Sequence, residues 1–505
     1  MSGSVTLSVT QHRPSMREQT LARPLTSSAA WACVVAGVAA VAYLLTLAPD
    51  LYSLDGPELS TAAYRLGIAH APGYPFYTLA GWLFSHAFPI SNPIFRMNLL
   101  SALFAVAACL AVYALALRLT ARPAVAAAAA LALAFSYWFW LDAIAAEVYS
   151  LDAALFAGML LAAWEWRARP TPLRAAAVGL LFGLGLATRT TTALYLPTLV
   201  GFAWYAAPRD RRSWAAAAAG AILGAAFYLY LPLRAWTGAS VGPGDYALDG
   251  SLRVWDVGSW HGFWRHVTAS QFGSDAFAYG PADALREAGV FGVRLGGAFF
   301  AVGLPLGVAG AARLWSRDRA FLLLVLGCAA PLTLFFINYD TVDKEFMFLP
   351  AFVAWALLMA AGLAWALEAS GVAAASPWEA AAFVLPALAL VVNARLVTLH
   401  GEHGVRDDAE ALLSRVAPDA IIYGPFIDLA AYQYLQQVEG VRPDVRLVNS
   451  WTADDAFLVV LAEANVGVRP FYVTENVRAL VGRYTLVPVP GAKRAYEVRL
   501  REAGP

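Results

Sequence analysis

The chain has 505 residues, 60% of them hydrophobic and 14% charged, and its 35 basic and 35 acidic side chains cancel to zero net charge. A soluble globular chain is about half apolar and about a quarter charged, so this composition is that of an integral membrane protein. Lysine is nearly absent and no basic face is on offer, so nothing supports a nucleic-acid partner, and the three cysteines (Cys33, Cys109, Cys328) sit in apolar runs with no CxxC or disulfide framework.

Residues 1–28 are polar and carry Arg13, Arg17 and Arg23 ahead of the first apolar run, Ala29 to Ala48. That run is about 20 residues, the length of a spanning helix and long for a cleaved signal core. We therefore expect a cytoplasmic tail followed by an uncleaved helix. Further spans are expected at 97–117, 123–141, 148–164, 173–188, 192–207, 214–233, 289–312, 320–337, 346–367 and 373–392, eleven in all within 29–392. The arginines fit this count. Arg118 and Arg122, then Arg167, Arg169 and Arg174, then Arg209, Arg211 and Arg212, then Arg313, Arg317 and Arg319 all fall in connections that would face the cytoplasm. Only the last such turn, Glu368 to Ala373, lacks a basic residue.

The outward connections are unequal. Loop 49–96 is long, and its stretch Glu58 to Ile68 has the spacing of a helix lying in the membrane interface. Loop 234–288 is rich in Trp, His and Gly, including Trp255, Trp260, His261, Trp264 and His266. Alanine tracts at 124–132 and 215–219 allow close helix packing. Residues 393–505 change character. Strand-like pieces (Ala420–Gly424, Val445–Asn449, Pro470–Thr474, Tyr484–Val489, Ala495–Leu500) alternate with helical ones near Leu429–Gln437 and Ala456–Ala464, predicting a small extracytoplasmic α/β domain. It has no GxGxxG or P-loop spacing.

Leu54-Asp55-Gly56-Pro57-Glu58-Leu59 places two carboxylates three positions apart where the first span ends. Asp55 can serve as a general base toward a hydroxyl, with Glu58 as partner or second candidate. The same D-G-P-E pattern also suits a helix start, with Asp55 as its cap. Arg189, in Arg189-Thr190-Thr191-Thr192, and Arg234, after Leu231-Pro232-Leu233, sit at outward helix ends. Each can bind a lipid-linked phosphate or reach up to lipid headgroups. Lys344 and Asp340 belong to a dense turn, Asn338-Tyr339-Asp340-Thr341-Val342-Asp343-Lys344-Glu345, that could neutralise a phosphate and position a hydroxyl, or could be a solvated hairpin. Glu147 and Asp152 flank Tyr149 and read as acids at a helix N-terminus. His70 reads as a hydrogen-bonding turn residue. No spacing of His, Cys or acids suggests a metal, and no cofactor is called for. These groups converge on one membrane face, which suits an enzyme acting on a lipid-linked phosphate donor. A transporter or flippase would instead line a path with Arg189 and Asp152, and a non-catalytic envelope assembly protein would use only the outer domain.

Several stretches resemble a known family. Asp55-Gly56-Pro57-Glu58-Leu59, Ala62 to Pro75 (through His70-Ala71-Pro72-Gly73-Tyr74-Pro75), Arg96-Met97-Asn98-Leu99-Leu100-Ser101-Ala102, Ala146-Glu147-Val148-Tyr149-Ser150-Leu151, Gly185 to Thr191 and Asn338-Tyr339-Asp340 are similar to a bacterial membrane family of formerly unknown function. That family is related to the eukaryotic transmembrane protein O-mannosyltransferase, within the GT-C glycosyltransferases. The resemblance implies a polytopic helical bundle in a bacterial inner membrane and a polyprenyl-phosphate-linked donor of mannose or another sugar. It also implies a protein or glycan acceptor and a catalytic acid in the first outer loop, at Asp55. Substrate contacts are implied for His70, Tyr74, Asn98, Glu147, Tyr339 and Asp340. Where the family has a small hydroxyl or glycine and then glycine between its two acids, this chain has Gly56-Pro57.

Overall fold

The computed structural model describes residues 25–52, 55–207, 209–238, 245–246, 252–253, 257–449, 455–475 and 477–501. The tail arginines Arg13, Arg17 and Arg23, together with Leu54 and Trp255, lie outside the described residues. Helices dominate. Proline opens many of them, at Pro57, Pro75, Pro93, Pro123, Pro172, Pro281, Pro350 and Pro377, where its fixed φ suits a first turn and its missing N–H costs nothing. Side-chain caps add to this. Asn92 accepts from Phe95 N at 2.9 Å, and Asp318 accepts from Phe321 N at 3.1 Å.

Among the described residues six helices are long and apolar enough to cross a membrane: Ser28–Thr46, Pro93–Thr120, Arg211–Trp236, Arg319–Ile337, Leu349–Ala369 and Pro377–Val397. Two bent pairs raise the number to eight, against the eleven expected. The expected span 123–141 is Pro123–Ala134 and Tyr137–Ala143, bent by 71°, with Ser136 extended between them. The expected span 289–312 is Pro281–Ala298 and Gly303–Arg317, bent by 98°. There Phe300 and Ala301 take left-handed φ of 52° and 57°, which no L-residue helix continues. The expected span 192–207 is a six-residue 3-10 segment, Thr190–Tyr195, followed by the 11-residue helix Leu196–Ala206.

Small residues set the packing. Pro123–Ala134 is buried on every side from Ala124 to Ala134, because alanine lets neighbours approach all around it. Gly310 meets the helix Leu349–Ala369 so closely that a Cβ there would stand 1.8 Å from Leu358 O. The arginine clusters gather at one end of the bundle. Arg118 pairs with Glu165, Arg167 with Asp318, Arg313 with Glu368 and Arg122 with Glu379. Arg122 also donates to Val372 O, so the turn lacking basic residues belongs to the same end. The helix Pro377–Val397 returns from there, and Leu399 N meets Thr46 O at 2.9 Å at the opposite end.

The C-terminal part forms a five-stranded sheet from β1 (Ile421–Gly424), β2 (Arg446–Asn449), β3 (Phe471–Val473), β4 (Tyr484–Pro488) and β5 (Tyr496–Leu500), ordered β2-β1-β3-β5-β4. The first three neighbours are parallel and the rest antiparallel. Helix Phe426–Glu439 joins β1 to β2, and helix Asp455–Asn465 joins β2 to β3. Along β1 the side chains alternate. Ile422 joins the core shared with Phe426–Glu439, while Ile421 and Tyr423 face Leu458 and Leu461. The sheet unit sits on the end opposite the arginines, held by Arg406 Nε–Asp50 Oδ2 at 2.7 Å and Ile94 N–Tyr434 Oη at 3.1 Å. This arrangement corrects one expectation. The helix Gly56–Arg65 does not lie exposed at an interface; Gly56 to Ala63 are buried, because Phe426–Glu439 covers the face that the bundle leaves open.

Candidate active site

Asp55 occupies the N-cap position of Gly56–Arg65 with φ −81° and ψ −9°, and its side chain makes no capping bond. Only its backbone carbonyl serves the helix, accepting from Leu59 N at 2.8 Å. The carboxylate is thereby left to a cavity of about 810 Å³, which it lines with His70, Tyr74, Tyr149, Arg189 and Asp343.

Glu58, 1% exposed, lies behind His70 and does not line this cavity. One of its oxygens accepts from His70 N at 2.7 Å and the other sits 2.6 Å from His70 Nδ1. The far ring nitrogen, Nε2, is 3.0 Å from Tyr74 Oη and 3.5 Å from Asp55 Oδ2. The turn that brings His70 there closes through Gly73 N to His70 O at 2.7 Å. Gly73 has φ 88°, and a Cβ there would stand 2.8 Å from Leu231 Cδ2, so glycine answers both demands. Burial alone would lower the His70 pKa, but the Glu58 and Asp55 carboxylates outweigh it and push it up to about 9. Burial lifts Asp55 to about 6, against the opposing pull of His70.

Arg189 enters from the loop after Pro172–Leu186. Its Nη1 is 3.1 Å from Asp152 Oδ2, and its guanidinium lies over the rings of Tyr149 at 4.8 Å and Phe336 at 5.0 Å. Tyr149 Oη donates to Asp343, whose other oxygen accepts from Thr341 Oγ1 at 2.8 Å. Tyr339 and Asp340 line the same cavity, with Tyr279 Oη donating to Asp340 Oδ1 at 2.7 Å. The segment Thr268 to Ala276, with Asp275, lines another side, and the sheet unit supplies a further wall through Pro425, Phe426, Ile427 and Glu475.

Of the residues singled out in the sequence, the cavity thus gathers Asp55, His70, Tyr74, Arg189, Tyr339 and Asp340. The others lie elsewhere. Lys344 Nζ pairs with Glu287 Oε2 at 2.8 Å and sits 4.7 Å from the Tyr279 ring centroid. Arg234 Nε donates to Leu66 O at 2.7 Å. Asn98 is a buried staple, donating to Ala48 O at 2.9 Å and accepting from Ala146 N at 2.8 Å. Glu147 is buried beside these, 5% exposed. Burial, joined by Asp55, holds its pKa well above the usual carboxylate range. Phe426 and Glu475 are not among the expected site residues; docking of the sheet brings them here. Among the described residues no group of three His, Cys, Asp or Glu side chains could hold a metal ion.

The model of the Protein O-mannosyl-transferase TMEM260 N-terminal domain matches residues 55–213, a stretch that begins at Asp55 and runs past Arg189. Protein O-mannosyl-transferase TMEM260 of Mus musculus is 39% identical over 173 residues, 33% of this chain and 24% of that protein. The Dictyostelium discoideum protein of the same name is 33% identical over 76 residues, 14% of this chain and 9% of that protein. The chain thus spans at most about a quarter of the length of these two relatives. Two crystal structures of ArnT from Cupriavidus metallidurans share the fold. The form bound to undecaprenyl phosphate gives a TM-score of 0.59 at 16% identity, covering 93% of this chain and 98% of that one. The apo form gives 0.52 at 15% identity, covering 94% and 98%. Residues 55–213 are thus similar to the TMEM260 protein O-mannosyl-transferases, and nearly the whole chain shares the fold of ArnT.

Proposed function

We propose that the chain is a membrane glycosyltransferase that moves a sugar, mannose by analogy with the relatives' name, from a polyprenyl-phosphate donor to an acceptor hydroxyl. The carrying observation is an Asp55 carboxylate not used as a helix cap, opening into the cavity that Arg189 also lines. In the reaction, Asp55 takes the hydroxyl proton as the acceptor oxygen attacks the anomeric carbon. The bond from that carbon to the phosphate oxygen breaks, and the phosphate leaves with the electron pair. One displacement inverts the anomeric centre. Arg189 answers the charge growing on the leaving phosphate, and Tyr149 and Phe336 hold its guanidinium flat. Glu58 and His70 fix the base. Glu58 grips both the amide and the ring of His70, and the imidazolium then faces Asp55. The phosphate role expected of Lys344 and Arg234 falls to Arg189, since neither lines the cavity. The arginine-rich end would face the cytoplasm and place Asp55 at the outer face.

The test uses purified protein in nanodiscs, a polyprenyl-phosphate sugar and a Ser/Thr-containing acceptor. Asp55→Asn should lower kcat by roughly 10²- to 10⁴-fold, the range of general base catalysis, without loss of folding. Transfer at the wild-type rate by this variant would refute the mechanism.

A further inference from the structure

The connections of the sheet unit run to opposite faces. Helix Phe426–Glu439 carries the chain from β1 outward to β2, and helix Asp455–Asn465 carries it back past β1 to β3. Open α/β sheets hold ligands outside the carboxyl ends of their parallel strands, where such connections diverge. Here that edge does not face bulk solvent. Phe426 follows the end of β1 and Glu475 follows the end of β3, and both line the cavity that contains Asp55. The Phe426 ring meets the His70 ring edge-on at 5.6 Å. The ligand edge of the sheet and the candidate base therefore share one chamber.

The charges of that chamber are lopsided. Among the described residues, Asp55, Asp275, Asp340, Asp343 and Glu475 line it against one arginine and one histidine, and the arginine is already paired with Asp152. Asp275 and Asp340 stand on the membrane-bundle wall, Asp340 held by Tyr279 Oη, and Glu475 stands on the sheet wall. Arg189 can offset the donor phosphate, but little positive charge remains for a second anion. A chamber of one sign attracts the opposite charge and penalises its own.

We propose that the sheet unit is the acceptor-binding half of the site, and that Phe426, Glu475, Asp275 and Asp340 select a hydroxyl carried on a polypeptide with basic flanking residues. The wall that combines Phe426, Pro425 and Ile427 with Glu475 suits a chain offering both apolar and cationic side chains. The proposal deepens the glycosyltransferase reading and rests on it.

The test compares Ser/Thr peptides that differ only in flanking residues, Lys against Glu, with the full chain in nanodiscs. Transfer from a polyprenyl-phosphate sugar gives a ratio of kcat/KM for the two peptides, and binding without donor gives a ratio of Kd. Both ratios should favour the Lys peptides at least tenfold. Glu475→Lys should reduce each ratio at least tenfold, and Asp275→Asn with Asp340→Asn offers a second variant should Glu475→Lys not fold. Ratios near one, ratios unmoved by both variants, or equal use of an anionic glycolipid acceptor would overturn the proposal. A Lys preference in binding without any sugar transfer would leave the surface standing and remove the glycosyltransferase reading instead.

Discussion

At Asp55 the protein keeps a carboxylate at a helix start without spending it on the cap. Its pKa of about 6 means that the ionised base is present above that pH and lost below it. His70 titrates at about 9, so its positive charge is present below that pH and lost above it. kcat/KM should therefore rise through about pH 6 and fall through about pH 9, as a pH-rate profile on the purified protein would read. Glu58→Gln removes the first of the influences that raise His70, so the alkaline limb should move to lower pH while the acid limb persists. Loss of both limbs together would assign Glu58 the base role instead. The pairing of acids was legible in the sequence, but their division of labour was not. Asp55 and Glu58 lie three positions apart on one turn, and only the return of the chain at His70 shows which of them is committed to a partner.

At the scale of elements, composition foretold most of the helices and close contact foretold little of their shape. The apolar runs appear as helices, and the five expected strands appear within a residue or so of their places, because periodicity and β-branched content are local properties. The breaks at Ser136 and at Phe300-Ala301 are not marked in the sequence by a proline at either position. Gly310 makes the packing testable. Gly310→Val would drive side-chain carbon into Leu358 O and should destabilise the protein by roughly 1–3 kcal/mol, read as a lower thermal midpoint in detergent. Gly289→Ala, inside the helix Pro281–Ala298 where nothing lies within 4 Å of an added Cβ, should instead raise that midpoint slightly, since alanine favours the helix by about 0.5–1 kcal/mol over glycine.

For the whole molecule the decisive contact is between the sheet unit and the connection 49–96. Arg406 joins Asp50 at 2.7 Å to Glu439 at 2.6 Å, and thereby ties the end of the first helix to the sheet unit. Arg406→Ala should loosen the docking by roughly 1–3 kcal/mol, since it leaves Asp50 without its cation. Limited proteolysis should then cut faster between residues 397 and 404 than in the wild type. An unchanged cleavage rate would mean that the apolar contacts alone hold the unit in place. The sequence by itself determined a helical membrane bundle, its arginine-marked end, the strands of the C-terminal sheet and the candidate base, because hydropathy, charge placement and short motifs are written in neighbouring residues. The tertiary structure alone decided that Glu58 serves His70, that Lys344 and Arg234 stay outside the cavity, and that Phe426 and Glu475 close it. Those outcomes depend on which surfaces meet across hundreds of residues, and burial and charge pairing settle them only once the chain has packed.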